Sequence, residues 1–390
     1  MLTSIPDDPT AKLVGLRFQN PYVASSRAFA SARKWLYECH LSHNHCQNDT
    51  CSALPKRLVD TGVAGTRGPV HLIETLEGMN YQYAALSYCW GCDLSFRTTK
   101  ANLAKHRKAL SMAVLPPTVL DAFQVVRELG LRYIWIDCLC IIQDDQDDVA
   151  SEISTMPSIY KGSYVTISAS MANNVQEGFL QSHKTCFLGP GGFRIRCCVE
   201  EGLEGIVVLA YPGFAQPDSD SNPHSEEYSL VTRKDPIDRR AWALQEMVLS
   251  PRVLDYNTAG LVWMCRTVDH FDGGQLSLFR PSHYPAFLPR FSSASRDYID
   301  DKYHDWLEIW KDIVQQYSSR EMTFPDDKLV AIAAVAEEFH RCYADRIGAS
   351  YLTGLWTKGL PYILLWRNKL GLDHSHDRVS HRPKAYRAPS

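Results

Sequence analysis

The chain has 390 residues, 45% of them hydrophobic and 22% charged. That balance excludes a disordered or fibrous protein, and the length suits two or three domains or one elaborated core. The 41 Lys and Arg against 44 Asp and Glu leave a net charge of −3, so no basic excess points to nucleic acid or an anionic membrane as partner.

The N-terminus, MLTSIPDDPTAKLVGLRFQNPYV, lacks the charged start and apolar core of a secretory signal. The 12 cysteines are therefore expected to be reduced, in a cytoplasmic protein. No apolar run approaches the ~20 residues of a membrane span. The first 70 residues read as irregular, with one helical stretch over 26–37. HLIETLEG reads as a strand, and YAALSYCWG as a second ending at Gly91. Pro116 and Pro117 open a helix in which Val119, Phe123, Val126 and Leu129 recur at helical spacing, with Gly130 as its stop. YIWIDCLCII then reads as a strand buried on both faces, DDQDD as an acidic turn, the next stretch to Tyr160 as a helix, and YVTISAS as a strand. Strand, helix, strand, helix, strand predicts a parallel sheet with right-handed crossovers.

Residues 172–238 break this rhythm and read as a β-rich insertion, with LGPGGF as a hairpin turn and QPDSDSNPHSEE as a solvated loop. Asp238 is expected to cap a short helix ending near Leu249, followed by a strand over 252–256 and its partner LVWMC. The last third reads as helical. Trp306, Ile309, Trp310, Ile313, Val314 and Tyr317 form one stripe. Thr323 and Asp326 resemble a capping box before a helix carrying Leu329, Ile332, Ala333, Ala336 and Phe339. A third apolar segment is GLWTKGLPYILLW, and the final residues from 372 are a polar tail. The expected division is a leader (1–70), a core domain (71–265), a helical extension (266–371) and the tail.

Few residues could carry chemistry. Asp137 is the one charge in its apolar run, and an unpartnered buried carboxylate there would cost several kcal/mol. It either serves a ligand at the carboxyl end of a parallel strand or satisfies backbone amides of a nearby loop. Ser87, Tyr88, Trp90 and Gly91 end the neighbouring strand. They could floor a pocket for a planar ligand, or form a packed aromatic turn with a glycine for positive φ. Gln245 and Glu246 share the stripe of Trp242 on an apolar helix. Glu246 could orient a sugar hydroxyl and stabilise an oxocarbenium-like transition state, or sit in a buried ion pair with Arg240 or Arg252. Cys39, His40, His43, His45, Cys46 and Cys51 crowd one segment, from which zinc could choose four. No clean CxxC pairing is present, so a polar loop with incidental thiols stands beside that reading and no metal ligand is assigned. Phosphate-loop, dinucleotide-fingerprint, serine-elbow and HExxH motifs are absent.

Three blocks, YAALSYCWG, LRYIWIDCLCIIQDD and RRAWALQEMVLSPRVLDY, resemble in order and spacing the signature blocks of the fungal heterokaryon incompatibility (HET) domain. LPPTVLDAFQVVRELG and YSSREMTFPDDKLVAIAAVA extend the resemblance. Cys138, Val149 and Ala241 depart from the family's usual residues, while Asp137, Gln143, Trp242, Gln245 and Glu246 are kept. The resemblance implies an α/β fold with a TIR-like (flavodoxin-like) mostly parallel sheet and a helical extension. It implies a role in non-self recognition and cell death, with self-association or other incompatibility proteins as partners. Some TIR relatives cleave NAD with a helix-borne glutamate. By that analogy Glu246 and Asp137 are catalytic, Ser87, Tyr88, Trp90, Gly91, Arg240 and Trp242 bind the ligand, and NAD is substrate with no resident cofactor. Two other readings stand beside this one: a non-catalytic death-signalling module, and a HET-like protein with no incompatibility role.

Overall fold

The computed structural model describes residues 2–4, 8–12, 20, 22–47, 54–63, 68–76, 78–91, 95–182, 193–200, 203–209, 235–258, 260–272, 306–322, 327–347, 350–352 and 355–359. They belong to two compact units, Met1–Ile237 with Ser250–Tyr284, and Asp238–Leu249 with Pro285–Ser390. The LGPGGF turn apart from Phe193, the QPDSDSNPHSEE loop, the Thr323 and Asp326 pair, Cys51 and the polar tail lie outside the described residues.

In chain order the first unit contains β1 (Leu2–Ser4), α1 (Ser26–Ser42), β2 (Arg57–Asp60), β3 (His71–Glu74), β4 (Tyr83–Ser87), α2 (Leu103–Lys108), α3 (Pro117–Glu128), β5 (Tyr133–Trp135), α4 (Asp137–Cys140), α5 (Gln146–Gly162), β6 (Val165–Ser168), β7 (Phe193–Glu200), β8 (Leu203–Leu209), β9 (Arg252–Asn257), β10 (Gly260–Cys265) and β11 (Asp269–Phe271). Eight strands form one sheet in the order β11-β10-β9-β6-β4-β5-β2-β3. The central four, β9, β6, β4 and β5, run parallel. Every residue of β4, β6 and β9 is buried, which is why these segments show no polar alternation. Antiparallel strands flank them on both sides. One of these, β2, lies in the stretch read as irregular, because four residues are too few to show a period.

Helix α3 has both of its expected boundaries. Pro117 stands at its start, where the missing N–H costs nothing. At its end Leu131 N–H donates to Val126 C=O at 3.0 Å and Gly130 N–H to Arg127 C=O at 3.0 Å. That double bond pattern needs a left-handed residue, and Gly130 has φ +75°. The helix buries Val119, Phe123 and Val126, as their spacing predicts.

The expected ten-residue strand is a correction. Only Tyr133–Trp135 is strand, and Asp137–Cys140 is a helical turn. Leu139 and Cys140 N–H turn back on Ile136 C=O, while Thr98 and Arg57 take the carbonyls of Leu139 and Cys140. Cys138, Leu139 and Cys140 are fully buried either way, so apolarity alone did not separate turn from strand. The insertion supplies the antiparallel hairpin β7–β8, and β1 adds to β8 as a third strand.

The second unit holds α6 (Ala241–Leu249), α7 (Trp306–Ser318), α8 (Lys328–Ile347), β12 (Tyr351–Leu352) and β13 (Leu355–Trp356). Asp238, expected to cap α6, precedes that helix by three residues. It lies in a 3-10 turn, Pro236–Arg239, where Arg320 reaches it. The α7 stripe is buried as expected, in one core with α8 and with Ala241, Leu244 and Val248 of α6. On α8 the buried face is Ala331, Ile332, Val335, Ala336 and Phe339, whereas Leu329 and Ala333 are exposed.

Candidate functional site

Strands β4 and β5 are parallel neighbours, so the residues that follow them leave the sheet side by side. Tyr88 Oη donates to Asp137 Oδ1 at 2.9 Å, and Trp90 Nε1 donates to Asp137 Oδ2 at 2.8 Å. Cys138 N–H donates to Oδ1 at 2.7 Å. The carboxylate thus receives three donors from two strand exits, which offsets the cost of burying its charge. Burial and the facing Asp137 charge push the Tyr88 phenol well above its ordinary value, so it remains a donor. Burial, with Asp137 beside it, likewise keeps the Cys138 thiol protonated.

Gly91 completes this exit with φ +76°. A Cβ there would lie 2.7 Å from Asn174 Cβ. Gly91→Ala is expected to destabilise the first unit by about 2–3 kcal/mol through the left-handed backbone and the clash together. A thermal melt with near-ultraviolet circular dichroism checks this, because Trp90 would shift with the turn. An unchanged melt would refute it.

The turn carrying Asp137 is clamped from behind. Gln143 Nε2 donates to Asp137 C=O at 3.2 Å. Arg57 Nε donates to Cys140 C=O at 2.6 Å, and its guanidinium pairs with Asp148, which also accepts Ile142 N–H at 2.8 Å. Lys56 Nζ lies 3.4 Å from Asp148 and 4.0 Å from Glu152. The acidic turn is therefore not wholly solvated, since Asp148 latches it to β2. Burial alone would raise the Asp148 carboxyl, but Arg57 and the Ile142 amide outweigh it and hold it below its ordinary 3.8. A lowered folded value gives stability that is complete above 3.8 and lost as pH falls through the folded value. Urea midpoints measured on acidification should fall more steeply in wild type than in Asp148→Asn, and parallel profiles would refute this.

A second polar row crosses the same edge. Ser87 and Ser168, which end β4 and β6, are in register with each other and with Asp255 in the second half of β9. Ser168 Oγ lies 2.8 Å from Ser170 Oγ, Ser170 hydrogen-bonds Asp255, and Asn257 Nδ2 donates to Asp255 Oδ2 at 2.8 Å. The sequence reading missed Ser168, Ser170 and Asp255. Their signal was two serines two apart at a strand end and a lone acid in RVLDYN.

Glu246, Arg240 and Trp242 belong to the second unit. Glu246 is buried on α6, and its charge acts on Arg320. Burial lowers the Arg320 guanidinium below its ordinary value, against the charges of Asp238 and Glu246. Arg320 also donates to Arg240 C=O at 3.0 Å and to Asp238 at 3.4 Å. Sequence reasoning considered Arg240 and Arg252 as cations for Glu246 and overlooked Arg320. Beside Glu246, both amide atoms of the Gln245 side chain are buried without a hydrogen-bond partner. Trp242 is half-buried against the helical core. Asp137, Tyr88 and Trp90 thus meet in one hydrogen-bonded group, while Arg240, Trp242 and Glu246 are carried by the other unit.

Residues 83–246 match the family model described as Heterokaryon incompatibility protein (HET). This match to the HET domain begins at the first residue of β4 and ends at Glu246. The match suggests a role in heterokaryon incompatibility and a fungal context. No curated protein and no solved structure matches the chain. No helix among the described residues is long and apolar enough to cross a membrane.

Proposed function

We propose that this HET-domain protein is an effector of non-self recognition that cleaves NAD, with Glu246 as the carboxylate that the TIR resemblance implies. The observation that carries the reading is the set of polar groups at the carboxyl edge of the parallel strands, Asp137 after β5, Ser87 and Tyr88 of the β4 exit and Ser168 of β6 with Asp255 of β9 in register, since open α/β sheets bind ligands at that edge. The parallel order β5-β4-β6-β9 corresponds to the 2-1-3-4 order of flavodoxin-like sheets, which supports the TIR-like assignment. The reaction breaks the bond from ribose C1′ to the nicotinamide nitrogen. Nicotinamide leaves with the bonding electrons, water adds at C1′, and one proton is released. A buried carboxylate would stabilise the positive charge that develops on the ribose. Asp137, with both oxygens engaged, acts in this scheme as a positioning residue that holds Tyr88 and Trp90.

A second reading is a non-catalytic module that signals by self-association. The burial of Glu246 on α6, where its charge acts on the buried Arg320, favours it, because a carboxylate balanced inside the second unit is a structural element. Overexpression in a fungal host separates the two readings. The effector reading expects Glu246→Gln to abolish growth arrest at unchanged melting temperature and expression. Retained toxicity would refute it in favour of the module.

A further inference from the structure

Away from the sheet edge, four metal-ligating side chains from distant parts of the chain meet in the first unit. Cys39 lies in the last turn of α1, His43 caps that helix, and Cys46 ends the 3-10 turn Asn44–Cys46. Cys265 is the last residue of β10, 222 residues beyond His43. One ligand atom from each lies within 4.8 Å of all the others. The three cysteines are at most 1% exposed and His43 is half-buried.

We infer that Cys39, His43, Cys46 and Cys265 bind one Zn2+ in a closed, four-coordinate structural site. A tetrahedron with zinc–sulfur bonds of about 2.3 Å and zinc–nitrogen bonds of about 2.0 Å sets sulfur and nitrogen roughly 3.5 Å apart. His43 Nδ1 and Cys265 Sγ are 3.5 Å apart already. Three soft thiolates and one imidazole select zinc over hard cations such as calcium or magnesium. Four protein ligands leave no open position, so the metal is a staple rather than a catalyst.

The surroundings suit that charge. Three thiolates and a neutral imidazole around Zn2+ carry one net negative charge, and the buried guanidinium of Arg252 acts on both Cys39 and Cys46. Arg252 Nη2 also donates to Cys46 C=O at 2.6 Å. Val268 N–H donates to Cys265 Sγ at 3.3 Å, and Thr267 Oγ1 lies 3.5 Å from Cys46 Sγ. Such outer contacts orient ligands in zinc sites. The staple would tie the end of α1 to the end of β10. Among the described residues of the crowded segment, Cys39, His43 and Cys46 take part, and the fourth ligand comes from a strand that local spacing does not reveal.

The test uses the full chain, purified under reducing conditions without metal-chelate chromatography. Elemental analysis should find one zinc per chain, and a thiol-blocking mercurial should release it stoichiometrically to a metallochromic dye. Exchange with Co2+ should produce thiolate charge-transfer bands and the intense d–d bands of a tetrahedral site. Cys265→Ser should drop the metal content from one equivalent to none. Cys198→Ser, at an exposed thiol, should leave it unchanged. His43→Cys should keep the metal with a spectrum shifted toward four thiolates, which separates ligand exchange from misfolding. The proposal is overturned if the reduced wild type retains no stoichiometric zinc after Zn2+ is supplied and dialysed. It also falls if Cys265→Ser and Cys46→Ser hold as much zinc as wild type, or if two of the three cysteines form a disulfide in the protein as isolated.

Discussion

Asp137→Ala is expected to lower the melting temperature of the first unit by about 10 °C, or to prevent its folding. The substitution leaves Tyr88 Oη–H, Trp90 Nε1–H and Cys138 N–H without their shared acceptor. Each buried donor left unpaired costs about 1–3 kcal/mol, so three approach the net stability of a domain. At about 2–4 °C per kcal/mol for a unit of this size, the shift follows. Asp137→Asn separates charge from hydrogen bonding. Its single amide oxygen can still accept from Tyr88 and Cys138, but its NH2 then faces the Trp90 N–H donor to donor. The loss should be about half that of alanine. Trp90→Phe should relieve that conflict, so the Asp137→Asn and Trp90→Phe pair should show a coupling of about 1 kcal/mol. An Asp137→Ala protein that melts like wild type would contradict this reading.

Trp310→Ala is expected to destabilise the second unit by about 3–5 kcal/mol. Trp310 is 1% exposed, with ring centroids 5.2 Å from Phe339, 5.8 Å from Tyr351 and 5.6 Å from Trp356. Its loss opens a cavity that the α7, α8 and β13 side chains are too constrained to fill. Hydrogen exchange resolved by peptide checks this. Protection should collapse in Trp306–Ser318 and Lys328–Ile347, and much less in Val165–Ser168 and Tyr83–Ser87. Equal loss in both sets, or a cost below about 1 kcal/mol, would count against it.

The parallel core was legible because YAALS and YIW are apolar runs on either side of a helix that Pro117 and Gly130 frame. Asp137 was legible as a charge that needed partners, and two of them, Tyr88 and Trp90, stand on the adjacent strand exit. What escaped the sequence was pairing at long range. Nothing local couples Arg57 to Asp148, 91 residues away, or Cys265 to His43. Strand and helical turn were confused in YIWIDCLCII because a fully buried segment shows no period. On α8 the apolar residues wrap far enough round the helix that Leu329 and Ala333 passed for core.

The most direct measurement is nicotinamide release from NAD by the purified full chain, held at high local concentration on a multivalent scaffold. Wild type should form nicotinamide and ADP-ribose in equal amounts. Glu246→Gln, matched for melting temperature, should be slower by about 100-fold or more. No turnover by the wild type, or equal turnover by both proteins, would contradict the account and leave the HET domain with an assembly role alone.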